Sequence, residues 1–294
     1  MGSAFDSLTT VLFPADCRVC GQPLSEFTLL PVCNSCWNDL PAQTGALCVR
    51  CGESLAHPVA PEIGTDKGGA LDVGLCRICR AAAPPFEKAV AHGVYADKLR
   101  TLVHLLKYDG MEGVAGRLGA LAAEQVLEVE GLPQELVVAP VPLWPGKRRQ
   151  RGFNQAELLA RGAVAAMQMR RPEMRVRLVA GALERRRATE SQAGLSPHER
   201  RANVRGAFFV PKPAAVDGQD VLLIDDIYTT GATARACTQA LKSAGARRVW
   251  VATVARAQRE DALVGAAAVQ EVEIPMEQDV ALWDAQGRNG SRGH

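Results

Sequence analysis

The stretch VLLIDDIYTTGAT, Val221 to Thr233, decides how this chain is read. Four apolar residues, Val221 to Ile224, lie between Asp220 and the pair Asp225 and Asp226. That pattern fits a short strand buried on both faces of a parallel sheet, with the carboxylates where the strand ends. Tyr228-Thr229-Thr230-Gly231-Ala232-Thr233 follows as a small, hydroxyl-rich turn opening into a helix marked by Ala236, Ala240, Leu241 and Ala244 and stopped at Gly245. In an open parallel sheet the ligand crevice lies at the carboxyl ends of the strands. A helix N-terminus there offers unpaired N–H groups and a positive dipole end, so a Thr- and Gly-rich turn can wrap a phosphate monoester. Two carboxylates beside it can accept hydrogen bonds from a vicinal diol. A phosphate on one side and a diol on the other describe a 5-phosphoribosyl group.

The same residues resemble the signature of type I phosphoribosyltransferases, which bind 5-phosphoribosyl 1-pyrophosphate (PRPP). The plain alternative for IDD alone is a doubly wound domain with acids at a strand end; the attached TTGAT is what favours phosphate binding.

At 294 residues the chain has room for one large or two small domains. Its composition, 47% hydrophobic, 22% charged and 5% aromatic, is that of an ordinary soluble protein. No run of about 18 apolar residues is present, and MGSAFDSLTTVLFP lacks the features of a signal peptide, so the expected location is the cytoplasm, without a membrane span. The net charge of +2 conceals an asymmetry. Trp144 to Val210 carries 15 Lys and Arg against 5 Asp and Glu, so the middle of the chain expects an anion.

Eight of the nine cysteines form four CxxC pairs: Cys17 and Cys20, Cys33 and Cys36, Cys48 and Cys51, Cys76 and Cys79. Two such knuckles complete a tetrahedron of thiolates around zinc, so four point to two zinc ions. Four thiolates leave no open position for catalysis, which makes the metal structural. Consecutive pairing leaves 12 and 24 residues between knuckles; spacing leaves an interleaved pairing open as well. Disulfides need an oxidising compartment, and redox CxxC motifs do not come in fours. His57 reads as a loop histidine, and 58–74 as a flexible insertion.

Phe86 to Tyr95 reads as an edge strand. Asp97 to Tyr108 reads as a helix with Asp97 as its N-cap and Leu99, Leu102, Val103 and Leu106 on one face, followed by a helix over Gly113 to Glu128. His92 and His104 fall among these elements and are expected to be packed or solvated. A second apolar run, Leu136 to Leu143, delivers the loop Trp144 to Gln155 and then a helix from Ala156 to Met167. Lys147, Arg148, Arg149 and Arg151 in that loop suit a pyrophosphate. The alternative is a solvated basic loop, or one that tracks nucleic-acid phosphates.

RGFNQ after a VPL strand is also a landmark of the ComF family, cytoplasmic bacterial proteins associated with DNA uptake in natural competence. Similarity to that family extends over cysteine knuckles, Leu106-Lys107, PVPL, RGFNQ, an Arg- and Gln-containing stretch, NVRGAF and the IDD-TTGAT site, roughly Cys17 to Arg256. The resemblance implies an α/β fold: a type I phosphoribosyltransferase-like parallel sheet flanked by helices, with an N-terminal cysteine-rich double zinc-ribbon module. The expected division is 1–84 for the zinc-ribbon module, 85–257 for the phosphoribosyltransferase-like domain and 258–294 for a flexible tail. Asp225 and Asp226 would hold the ribose hydroxyls; Thr229, Thr230, Gly231, Ala232 and Thr233 the 5-phosphate; Lys147, Arg148, Arg149 and Arg151 the pyrophosphate, through magnesium. Phosphoribosyltransferases of this type close a mobile loop over the site. By position its counterpart lies in Leu183 to Val210, with Arg185, Arg186, Arg187 and Gln192 as candidates and Ala207 to Val210 as a short strand. His198 has no assigned role, and Cys237 reads as a buried structural thiol.

The expected function is PRPP binding with transfer of the phosphoribosyl group to an acceptor that the sequence does not identify, and no residue stands out as its base. The alternative is a non-catalytic PRPP-sensing or single-stranded-DNA-handling protein on the same fold, working with DNA-uptake or recombination proteins. Against stacking on DNA, Phe153, Phe208 and Phe209 are the only aromatics from Phe153 through Val210.

Overall fold

The computed structural model describes residues 16–24, 30–55, 74–186 and 206–258. His57, Arg187, Gln192, His198 and residues 259–294 of the expected C-terminal tail lie outside them. The described strands form a parallel five-stranded sheet in the order β1 (Lys88–Val94), β7 (Arg248–Arg256), β6 (Asp220–Tyr228), β2 (Glu135–Pro140), β3 (Arg175–Leu178). The inner strands β2, β6 and β7 are the continuous apolar runs, buried along nearly their whole length because helices cover both faces. The expected edge strand is β1, whose burial alternates residue by residue.

Side chains leave the sheet with period two, and they divide the core. Val138, Leu222, Ile224, Trp250 and Ala252 pack into one cluster with α3 (Asp97–Tyr108), α4 (Val114–Leu127) and α6 (Gln155–Arg170). Val137, Ala139, Val221, Leu223, Val249 and Val251 pack into the other with α7 (Ala232–Ser243). In α3 the residues Leu99, Leu102, Val103 and Leu106 are fully buried, as their spacing predicts. The cap is one residue earlier than expected: Ala96 occupies it, and Asp97 is the first helical residue. Between α4 and α6 the backbones nearly touch, since a Cβ on Gly119 would lie 2.2 Å from the Leu159 carbonyl oxygen.

Each half of the cysteine region repeats one plan. The first knuckle sits in a hairpin, closed by Asp16 with Pro23 or by Leu47 with Ser54. The second opens a one-turn helix, α1 (Asn34–Asn38) after Cys33 or α2 (Arg77–Ala81) after Cys76. Pairing is consecutive: the sulfurs of Cys17, Cys20, Cys33 and Cys36 converge, as do those of Cys48, Cys51, Cys76 and Cys79. The Cys17–Cys36 and Cys20–Cys33 sulfur separations are 3.8 Å, and Cys51–Cys76 is 3.6 Å. Four thiolates about 2.3 Å from a tetrahedral zinc are about 3.8 Å apart, so both tetrads fit structural zinc. Cys17 and Cys36 join the cluster of α3 and α4, while the second tetrad joins the cluster of α7. The chain is expected to carry two zinc ions by elemental analysis, and Cys20→Ser is expected to lose one while the second tetrad keeps its own.

Candidate functional site

The site follows from an asymmetry at the carboxyl end of β6. Its pairing with β2 ends at Pro140 and Ile224, whereas its pairing with β7 continues to Tyr228 and Arg256. The strand therefore does not stop at Ile224, as the sequence pattern suggested. Asp225 and Asp226 lie inside it, on the stretch that has lost its β2 neighbour. The pleat slips there. Leu222 and Ile224 pack in the first cluster and so does Ile227, while Tyr228 packs in the second. The Asp226 backbone N–H donates to its neighbour's carboxylate, Asp225 Oδ1, at 2.9 Å. Both acids consequently line one cavity of about 470 Å3.

The turn beyond them closes one end of the cavity. Gly231 caps α7 with φ of 74°, and a Cβ there would meet the Tyr228 hydroxyl at 2.2 Å, so position 231 has no room for a side chain. Thr230 Oγ1 accepts from the Ala232 N–H at 3.4 Å. Thr229, Gly231, Ala232 and Thr233 line the cavity at the start of α7, which is the arrangement that presents backbone N–H groups to an anion.

The facing wall is cationic. Residues 145–151, expected as a loop, form a short helix, α5 (Pro145–Arg151), begun by Pro145 at its first position and ended by Gly152. Lys147 and Arg151, four residues apart, share its cavity face. Arg148 and Arg149 are exposed outside the cavity lining, and Arg148 pairs with Glu157 at 3.6 Å. In RGFNQ, Asn154 caps α6 by accepting from the Ala156 N–H at 3.2 Å and donates to the Val141 carbonyl at 3.1 Å, tying the helix start to the end of β2. Gln155 reaches the cavity.

The basic segment contributes β4 (Glu184–Arg185), paired antiparallel with β5 (Phe208–Phe209). Arg185 lines the cavity, and Arg186 instead stacks on Phe209 at 4.0 Å.

Helix α3 supplies residues that sequence reasoning did not assign to the site. Arg100, His104, Lys107 and Tyr108 form a polar stripe opposite its buried face and line the cavity, together with Tyr95. That stripe was visible in the heptad-like spacing; what the sequence could not show was the wall it faces. Lys107 Nζ lies 3.0 Å from Asp226 Oδ2, both largely buried. His104, expected to be packed or solvated, places Nε2 3.1 Å from the Tyr95 hydroxyl.

Charge is concentrated accordingly. Burial and the adjacent Asp226 charge push the Asp225 carboxyl up to about 7, against the opposing pull of the Asp226 N–H, Lys107 and Arg185. Burial works against the Lys107 ammonium, but Asp226, with Tyr95 and Asp225 beyond it, outweighs burial and holds its pKa above the usual value. Burial, then Arg185, Arg151 and Lys107, lower Lys147. Lys147 thus carries its charge among other cations, whereas Lys107 has a carboxylate partner. Burial, with Arg100 and Lys107, keeps His104 below its ordinary value. Cys237 is fully buried, and burial raises its thiol well above the usual range, consistent with a structural role.

The comparisons agree with this geometry. Residues 8–80 match the Double zinc ribbon domain family, and 151–285 match the Phosphoribosyl transferase domain family. The DNA utilization protein YhgH of Salmonella typhi is 30% identical over 241 residues, covering 81% of this chain and 95% of that protein. Competence protein F of Haemophilus influenzae is 27% identical, covering 76% and 96%. Competence protein ComFC of Bacillus subtilis is 26% identical, covering 78% and 89%. With two cysteine tetrads in front of a phosphoribosyltransferase-type sheet, and relatives matched over most of their length, this chain belongs to the ComF family.

Proposed function

We propose that the cavity binds PRPP and that the protein transfers its phosphoribosyl group to an acceptor, in a role connected with DNA uptake. The observation that carries the reading is the acid pair of β6 running directly into the turn at the start of α7, opposite Lys147, Arg151 and Arg185. In this reading the 5-phosphate sits on the amides and hydroxyls of Thr229 to Thr233. Asp225 and Asp226 take the ribose hydroxyls and stabilise positive charge that develops on the ring. Lys147, Arg151 and Arg185 receive the departing pyrophosphate. Magnesium would enter with the pyrophosphate, keeping few protein ligands; Asp225 and Asp226 are the residues that would help hold it, and it would offset negative charge on the departing group. Arg148 and Arg149, outside the cavity, drop out of the pyrophosphate site.

The second reading is a non-catalytic or PRPP-sensing protein on the same fold that handles single-stranded DNA. It draws support from Tyr108, 61% exposed at the cavity with the Arg151 guanidinium 5.5 Å from its ring centroid, and from exposed Arg148 and Arg149. No helix among the described residues is long and apolar enough to cross a membrane.

Calorimetry with PRPP and magnesium is expected to show binding to the wild type and a loss of about 100-fold or more in the Asp225→Asn, Asp226→Asn double variant. A folded, zinc-loaded wild type that binds no PRPP contradicts the transferase reading. Oligonucleotide binding that weakens steeply with salt would then favour the second.

The raised Asp225 pKa also predicts a pH dependence. An acid whose folded pKa exceeds its unfolded value favours folding while protonated, and that advantage is lost as pH rises from about 4 through about 7. Asp225→Asn removes the titration. The single variant is therefore expected to be more stable than wild type at pH 8, by on the order of 1–2 kcal/mol after solvent screening, with the gap closing towards pH 4. Urea unfolding at several pH values reads this difference, and a gap independent of pH contradicts the assignment.

A further inference from the structure

The second cysteine tetrad reaches the phosphate turn through one buried side chain. Arg256, at the end of β7, is 1% exposed and lies opposite Tyr228 in the β6–β7 register. Its Nη1 donates to the Cys51 carbonyl at 2.5 Å. Its Nη2 donates to Glu53 at 2.5 Å and lies 3.6 Å from the Cys51 sulfur. The guanidinium stands 4.3 Å from the centroid of the Tyr228 ring, and the hydroxyl of that ring occupies the space where Gly231 would carry a Cβ. Phe86 meets the Tyr228 ring edge-on at 6.4 Å. The contacts thus run without a gap from a zinc-binding cysteine to the cap residue of α7.

A separate contact joins the same two parts. Arg235, in the first turn of α7, donates to the carbonyls of Ala82 and Ala83 at 2.8 and 3.1 Å, just past the helix that carries Cys79. The first tetrad differs. Its described polar links run to α3 and the residue after it, through Lys98 with Asp39 and Arg18 with Asp109.

We propose that Arg256 is a positioning residue that joins the second cysteine tetrad to the phosphate turn, so that zinc in this tetrad fixes the backbone of Thr229 to Thr233 and its loss loosens it. Zinc draws the four sulfurs together and sets the Cys51 to Glu53 hairpin. That hairpin holds the guanidinium through Cys51 and Glu53, and the guanidinium holds the Tyr228 ring under Gly231. An N–H donor beside a zinc-bound thiolate also steadies the ligand, so the coupling acts in both directions. The inference rests on the geometry of the turn and not on the identity of its ligand.

Amide hydrogen exchange on the full zinc-loaded chain tests it without any ligand. Removing Arg256 alone would strand the buried Glu53 carboxylate, so the variant is Arg256→Met with Glu53→Met. With two zinc ions still bound, it is expected to exchange the amides of 229–233 about ten-fold faster than wild type or more, with those of β1 and β2 unchanged. Cys48→Ser, which empties the second tetrad, is expected to do the same, and Cys20→Ser, which empties the first, is not. Unchanged exchange at 229–233 in the zinc-loaded double variant overturns the proposal, as does an equal effect of Cys20→Ser. If Cys48→Ser fails to fold, the zinc-loaded double variant decides: faster exchange confined to 229–233 upholds the proposal, and wild-type exchange overturns it.

Discussion

Beyond Ile224, strand β6 keeps β7 on one side and has lost β2 on the other, and the arrangement of the site depends on that inequality. The surviving ladder keeps the backbone of Asp225 to Tyr228 rigid. The missing one leaves a gap into which β2 has turned away through Val141 towards α5. Two carboxylates can then be buried at a strand end and still face an opening, because the polar groups around them come from α3, α5 and β4 rather than from bulk water. Burial and the Asp226 charge both disfavour the ionised Asp225 carboxyl there.

The opposite end of the same strand shows what an acid looks like when its role is structural. Asp220 is 2% exposed, yet Arg247 and Arg248 both grip its carboxylate and, against the cost of burial, hold its pKa down to about 2. Its charge is satisfied within the fold. Asp226 instead has the Lys107 ammonium beside it, a partner that also borders the cavity. Within the nine residues of one strand, one acid is answered by two arginines inside the fold and another borders the cavity beside a lysine.

Much of this was legible in the chain. A continuous apolar run must be buried on both faces, so VLLI and LVVAP announced inner strands, and the TTGAT turn announced a helix start. The knuckle spacing announced two tetrahedra but not their pairing, because CxxC fixes the local turn and leaves the long connections free; the packing of each tetrad against a different face of the sheet decides it. Trp144 to Gln155 was read as a cationic loop, and the short helix within it was missed because Lys147 to Arg151 carries no apolar periodicity to reveal it. Helical spacing is what divides its cations, turning Lys147 and Arg151 inward and leaving Arg148 with Glu157. Lys107, His104 and Tyr95 were hidden for another reason: a polar stripe on a helix looks the same whether it meets solvent or a distant strand end. Arg256 at the end of an apolar run gave no sign that its partners lie some 200 residues earlier.

A crystal structure of the zinc-loaded protein with PRPP and magnesium tests the central claim most directly. The account predicts the 5-phosphate seated on the amides of Thr229 to Thr233, the ribose hydroxyls on Asp225 and Asp226, and the pyrophosphate towards Lys147, Arg151 and Arg185. A ligand bound with its phosphate elsewhere and the turn vacant would contradict it.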